Sequence, residues 1–250
     1  GLGFGHAAPP VGDTVVQVVP AVPIGAVGGV EGAAVLGPLG IGQNYNLAIR
    51  TNRENPDGYN RRGALYMAQE RYEEACLDFD MAITCDSTFL PGYFNRALVH
   101  NYLHRPMLSL ADFDRVIAID STSSLGYFNR AIVRSQIGDY NRALEDYNRV
   151  AKYSPDNVLV YYNRAGLYSQ IGDLKSAIAD YTHAIKLYPD FANAYLNRSY
   201  LRAMMGDPKG ARQDRQTAEK KIAEYKSRLS DSTYSIYADT TQKFDKLLSF

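Results

Sequence analysis

The chain has 250 residues, with 27 basic and 27 acidic side chains and a formal net charge of zero. A balanced charge gives no global field to attract nucleic acid or an anionic membrane surface. The longest uncharged run, Thr14 to Val30, is broken by Pro20 and Pro23 and falls short of the roughly 20 apolar residues a spanning helix needs; nothing basic precedes it as a signal peptide requires.

Residues 1–42 hold 11 of the 20 glycines and five prolines, with Asp13 and Glu31 as their only charges. Glycine and proline are the poorest helix formers, so this stretch reads as an extended low-complexity arm. Thr14-Val15-Val16-Gln17-Val18-Val19 is β-branched enough for a short strand. The arm admits two readings, a flexible leader or an apolar segment that docks on a groove.

From residue 43 the pattern turns helical. Asn44–Thr51 reads as the second helix of an incomplete half repeat spanning 43–56, since Tyr45 and Ala48 fall 34 residues before Phe79 and Ala82. Full repeats occupy 57–207. The motif Tyr-x-Asn-Arg recurs every 34 residues, at Tyr93–Arg96, Tyr127–Arg130, Tyr161–Arg164 and Tyr195–Arg198, with a looser copy at Tyr59–Arg62. A fixed period of this length means one supersecondary unit repeated. Each unit divides into two amphipathic helices around a turn. Gly138-Asp139, Gly172-Asp173 and Gly206-Asp207 mark three of the turns, glycine ending one helix in the left-handed conformation and aspartate capping the next. Pro106 and Pro208 fit first helical positions, and Pro155 and Pro189 close second helices. Residues 208–250 supply the last repeat helix, with a long solvated helix over Gly210–Arg228, and a further helix over Thr233–Phe250. Cys76 and Cys85 share one predicted helix about 13 Å apart, too far for a disulfide, and read as small buried apolar residues.

These residues resemble the tetratricopeptide repeat over about 57–220. One unit presents Tyr161, Ala165, Tyr168, Ala177, Tyr181, Ala184 and Pro189 at the family's offsets, and another presents Tyr59, Gly63, Tyr66, Ala75, Phe79 and Ala82. The resemblance implies an all-α fold, a right-handed α-solenoid of five helix-turn-helix repeats with a C-terminal helical cap. Departures from the pattern are His100 where an aromatic is usual, Arg134 and Arg202 at the same position, Ser109 for alanine, and Arg215 where other units have Phe or Tyr. The charge of Arg215 implies that no ordinary sixth repeat follows.

No constellation of catalytic residues stands out, so the chain reads as a non-enzyme without cofactor. His100 and His104 lie one helical turn apart but lack an obvious third metal ligand, and they occupy ordinary repeat positions. Gly3-x-Gly5 lacks the spacing of a phosphate loop. Lys220-Lys221 and Lys226-Ser227-Arg228 are interrupted by Glu219 and Glu224, which fits a solvated face.

Five Arg/Asp pairs recur at 16-residue spacing: Arg62/Asp78, Arg96/Asp112, Arg130/Asp146, Arg164/Asp180 and Arg198/Asp214. The spacing places arginine on the first helix and aspartate on the second, and predicts a structural ladder of fork-to-carboxylate pairs. Asn95, Asn129, Asn163 and Asn197 precede four of those arginines. In the family, first helices line the concave groove, and asparagine here resembles the one co-chaperone repeat domains use to hold a peptide backbone. An amide both donates and accepts, so it can pair with a backbone whatever the side chains. Phe94, Phe128, Tyr162 and Leu196 stand one residue earlier and are expected to line the same groove, with Leu98, Ile132 and Tyr200 adding apolar surface.

The basic set that co-chaperone domains use to grip an acidic tail is missing: Asn60 and Ala64 stand where a lysine and an asparagine are expected, and Leu159/Asn163 and Asn193/Asn197 stand where a lysine-plus-arginine pair is. The expected ligand is therefore an extended apolar peptide. Residues 10–40 of this chain, or of a neighbouring copy, fit that description. The alternative reading is a scaffold of a larger, envelope-type assembly that uses its convex face or ends.

Overall fold

The computed structural model describes the backbone of residues 38–230 and the side chains of 44–227. The short strand expected over 14–19, the arm before residue 38 and the helix expected over 233–250 lie outside the described residues. Eleven helices follow one another: α1 (Pro38–Thr51), α2 (Pro56–Ala68), α3 (Tyr72–Cys85), α4 (Leu90–Tyr102), α5 (Pro106–Ile119), α6 (Ser124–Gln136), α7 (Tyr140–Tyr153), α8 (Val158–Gln170), α9 (Leu174–Leu187), α10 (Ala192–Met204) and α11 (Pro208–Ser230). First helices of a unit begin at 56, 90, 124, 158 and 192, and second helices at 72, 106, 140, 174 and 208. The 34-residue step of the sequence is thus the step of the backbone, and the five units stack as a right-handed α-solenoid.

One helix boundary differs from expectation. α1 begins at Pro38, not near residue 44, so Pro38–Gly42 belong to a helix although composition assigned them to the arm. The reason is register: Pro38 occupies the first helical position that Pro106 and Pro208 occupy in their units, where a missing N–H costs nothing. The C-terminal helix α11 is one unbroken element of 23 residues. Its Lys221 Nζ donates to Asp190 Oδ1 at 2.6 Å and ties the helix to the loop before α10, while Arg215 is exposed.

The turns obey one backbone rule. Gly138, Gly172 and Gly206 have φ of 81°, 84° and 80°, and Glu70 and His104 at the same register have φ of 60° and 55°. Left-handed backbone is natural for glycine and strained for the other two. His104 is therefore a turn residue beyond the end of α4, and does not continue the helical face of His100. Asp173 and Asp207 cap their helices, accepting from the Ser176 and Gly210 amides at 3.1 and 2.9 Å. Asp139 makes no cap and lies 3.5 Å from Arg142 instead. Cys76 and Cys85 are both free thiols on α3, and burial pushes the Cys76 thiol up to about 11.

Each unit is packed by a small residue facing a ring. A Cβ on Gly63 would lie 2.7 Å from the Phe79 ring, so only glycine lets α2 approach α3 this closely. Ala97, Ala131 and Ala165 take that position in α4, α6 and α8, all fully buried. The motif tyrosines also fasten the loops between units. Tyr93, Tyr127 and Tyr161 hydroxyls donate to the carbonyls of Ser87, Ser121 and Pro155 at 3.2, 3.2 and 2.9 Å.

The motif arginines bind the helices together. Nε and Nη2 of Arg62, Arg96, Arg130, Arg164 and Arg198 donate in pairs to both oxygens of Asp78, Asp112, Asp146, Asp180 and Asp214, all between 2.6 and 2.9 Å. The third nitrogen, Nη1, reaches back 16 residues to the second helix of the preceding unit. It donates to Asn46 and Asp80 at 2.6 Å, Asp114 at 2.6 Å, Asn148 at 2.8 Å and Thr182 at 2.9 Å. One planar cation therefore joins three helices from two units, a geometry that lysine cannot reproduce. The carboxylates are shielded, Asp146 being 2% exposed at its side chain.

Loss of one partner of such a pair strands a buried charge, which costs about 3 kcal/mol or more. Arg164→Ala, whose Asp180 has no second cationic partner among the described residues, is expected to lower unfolding free energy by that amount, and Arg164→Lys by less, in equilibrium denaturation. A loss under about 1 kcal/mol for Arg164→Ala would contradict the staple.

Candidate functional site

The first helices α4 and α6 converge on a cleft of about 680 Å³. Its walls are Leu98, Asn101 and Tyr102 of α4, Phe113 of α5, and Asn129, Ile132, Val133 and Gln136 of α6, with His104, Pro106 and Ile137 at the turn edge. The α6 residues share one face by their spacing of three, four and seven. Apart from His104 the lining holds no acidic or basic side chain. Tyr102 and Ile137 are exposed at 40% and 44%, so the cleft opens onto apolar surface at the turn edge. Among the described residues the side-chain amides of Asn101 and Gln136 hydrogen-bond to nothing. Asn129 donates from Nδ2 to the Leu125 carbonyl at 2.9 Å, and its Oδ1 has no partner among the described residues.

The asparagine row behaves unevenly, and the preceding unit explains why. Each asparagine faces the residue 35 positions earlier, the one just before the motif asparagine in the previous unit. Where that residue carries a polar atom, the amide bridges the units. Asn95 donates to Asn60 Oδ1 at 2.9 Å, and Asn197 to the Tyr162 hydroxyl at 3.1 Å and the Tyr181 hydroxyl at 3.2 Å. Asn129 and Asn163 face Phe94 and Phe128, which offer no acceptor. Their amides turn back to their own helix, Asn163 donating to the Leu159 carbonyl at 2.9 Å. Asn163 Oδ1 is then left buried without a partner.

The aromatic row is a correction to the sequence expectation. Phe94, Phe128 and Tyr162 are 0%, 4% and 5% exposed and belong to the core, not to an open groove. Each packs edge-on against the ring of its own second helix: Phe94 on Phe113, Phe128 on Tyr147 and Tyr162 on Tyr181, at 5.7, 5.9 and 5.6 Å. One residue is about 100° of helix rotation, enough to turn this row away from the line of the asparagines. Asn95, Asn129 and Asn163 are likewise buried, at 0%, 5% and 4%, while Leu196 and Asn197 are half-buried. Of the eight residues expected on the groove, Asn129 lines the cleft. The added apolar positions fare differently: Leu98 and Ile132 line the cleft, and Tyr200 is 48% exposed on α10. Asn101, Tyr102, Phe113 and Gln136 were missed. The α4 and α6 residues were legible as the i+3 and i+4 neighbours of Leu98 and Ile132.

His100, also on α4, is not among the cleft's lining residues; its Nε2 lies 3.8 Å from Asp112 Oδ2. Units three and five put Arg134 and Arg202 there, donating to the corresponding aspartates at 2.7 and 3.0 Å. Burial pushes the His100 imidazole below its ordinary value; Asp112 opposes this, and Arg96 and Arg105 add to it. Its Nδ1 is buried without a partner. Among the described residues no group of three His, Cys, Asp or Glu could hold a metal ion, and no helix is long and apolar enough to cross a membrane.

Comparison with known proteins agrees with this architecture. Family models described as "TPR repeat" and "Tetratricopeptide repeat" match residues 133–172 and 158–191. No curated protein sequence matches the chain significantly. Several solved structures share the fold. MamA from Desulfovibrio magneticus RS-1 superposes with a TM-score of 0.63 at 16% identity, over 71% of this chain and 97% of that one. YrrB, described as a TPR protein with an unusual peptide-binding site, gives 0.60 at 16% identity over 78% and 97%. PilF of Pseudomonas aeruginosa gives 0.61 at 17% identity over 66% and 76%. Stacked helical hairpins of constant length define the class, an α-solenoid. This chain has that fold, and residues 133–191 match the tetratricopeptide repeat.

Two outcomes are expected. A buried histidine with a depressed value stays neutral in the folded protein while the unfolded chain takes the proton. Its contribution to stability is full above about pH 6.5 and is lost as pH falls through the folded value. His100→Tyr, the residue type at 66 and 168, should shrink the drop in Tm between about pH 7.5 and 5.5; an unchanged drop would contradict the assignment. Phe128→Tyr places a hydroxyl where Tyr162 has one for Asn197. It should give the Asn163 amide a partner and raise unfolding free energy by about 1 kcal/mol, whereas destabilisation would show that the hydroxyl finds no partner.

Proposed function

We propose that the concave side of this protein captures an extended, uncharged peptide segment, and that the cleft between α4 and α6 is where it is anchored. The observation that carries this reading is the pairing of an apolar floor, formed by Leu98, Phe113, Ile132 and Val133, with amides at Asn101, Asn129 and Gln136 that retain hydrogen-bonding capacity. An apolar ligand side chain fills the floor. The amides pair with the ligand backbone, which any extended sequence presents. The row of asparagines expected to hold the peptide is thereby reduced to Asn129, joined by Asn101 and Gln136. The peptide-binding site in the description of YrrB is consistent with this use of the fold. Lack of a fixed cationic group in the cleft disfavours an acidic tail as ligand.

Residues 10–37 of this chain are uncharged apart from Asp13 and Glu31 and have the required chemistry, so they are a candidate occupant of this groove or a neighbour's. Residues 38–40 belong to α1 and drop out of that candidate. A second reading is a scaffold that docks through its outer face. It is favoured by Leu47, Leu77 and Met81 on α1 and α3, which are 63%, 66% and 43% exposed.

Selection of displayed random peptides against the full chain tests the two. Uncharged peptides with apolar side chains should be enriched. The double variant Asn101→Ala, Gln136→Ala, both outside the core, should weaken their binding by about tenfold, the worth of one to two hydrogen bonds. Leu77→Glu should leave it unchanged. Binding that survives the amide variant and is lost with Leu77→Glu moves the site to the outer face.

A further inference from the structure

α1 carries the packing residues of a second helix but has no first helix beside it among the described residues. In register, Ala48 corresponds to Ala82, Val116, Val150 and Ala184, each 0% exposed, yet Ala48 is itself exposed. Tyr45 corresponds to Phe79, Phe113, Tyr147 and Tyr181, which are 0% to 3% exposed, yet Tyr45 is only half-buried. Leu47, by contrast, sits where Met81, Arg115 and Arg149 are also exposed. The outward side of α1 is therefore like that of every other unit, and its inward side is open.

The period names what belongs there. One step of 34 before α2 falls on residues 22–34, and one step before the connection 69–71 falls on residues 35–37. Gly29 stands 16 residues before Tyr45, as Gly63 stands 16 before Phe79. At Gly63 the facing ring leaves no room for a Cβ, so a glycine opposite an aromatic is what this packing demands. The arginine staple is also absent consistently. Gly28 replaces the arginine and Asn44 replaces the aspartate, so no charge is buried unpaired. Ile24, Ala26, Val27, Val30 and Ala33 supply apolar surface, and Glu31 is the only charge in 22–34.

We propose that residues 22–34 of this chain dock on the Tyr45–Ala48 side of α1 and close the N-terminal end of the solenoid. Pro23 and four glycines make this segment a poor helix former. It is held by its packing on α1 and is the most easily displaced part of the stack. Residues 10–21 remain for the groove.

Hydrogen exchange on the full chain, at low protein concentration, tests this. Amides of 22–34 should exchange at least about tenfold more slowly than in an unstructured chain. Ala48→Glu should abolish that protection, and Leu47→Glu should not. If Ala48→Glu also loosens α2, Gly29→Leu is the variant to read, because it leaves α1 untouched and should likewise remove protection from 22–34. Unprotected residues 22–34 in the parent chain overturn the proposal, and so does protection insensitive to both Ala48→Glu and Gly29→Leu. Protection that appears only at high concentration, together with a doubled mass, also overturns it, because a second copy then supplies the cover.

Discussion

A single side chain per repeat, the motif arginine, sets the relation of each helix to its neighbours. Its fork engages the aspartate of its own second helix, and its remaining nitrogen engages the second helix of the unit before. The contact is directional, so it fixes rotation and spacing where apolar packing alone tolerates sliding. It also runs over the face of the motif tyrosine, 5.4 to 5.7 Å from ring centre for Arg96, Arg130, Arg164 and Arg198. Tyrosine, arginine and aspartate thus act as one fastening in four units, while in the first unit Arg62 lies 5.9 Å from the Tyr66 ring instead.

Within that frame the inner face is made different from unit to unit by one neighbour relation. An asparagine facing a polar residue in the preceding repeat closes the junction, as Asn95 and Asn197 do. An asparagine facing phenylalanine cannot, and Asn129 turns back to its own helix at the edge of the cleft. Two phenylalanines, Phe94 and Phe128, therefore decide which amides bridge the units and which turn back to their own helix.

Most of the architecture was legible because the 34-residue period reports directly on backbone geometry, and the Arg/Asp spacing of 16 places both groups on facing helices. The limits of the reading were equally physical. Glycine-rich composition hid the start of α1 at Pro38, because propensity is a weaker signal than repeat register. The row Phe94, Phe128 and Tyr162 was set on the groove, since one sequence alone does not say which way a residue 100° from its neighbour points until the second helix is in place. The cleft needed two helices from different units, Leu98 with Asn101 on one and Asn129 with Gln136 on the other. No pattern within one unit contains that pairing.

The most direct test of the account is to place a photoreactive benzophenone side chain at Gln136 in the full chain, and separately at Met81 on the outer face, and to irradiate each with a bound peptide ligand. The account predicts cross-linking from position 136 and none from position 81. Cross-linking from 81 with none from 136 would place the ligand on the convex surface and contradict it.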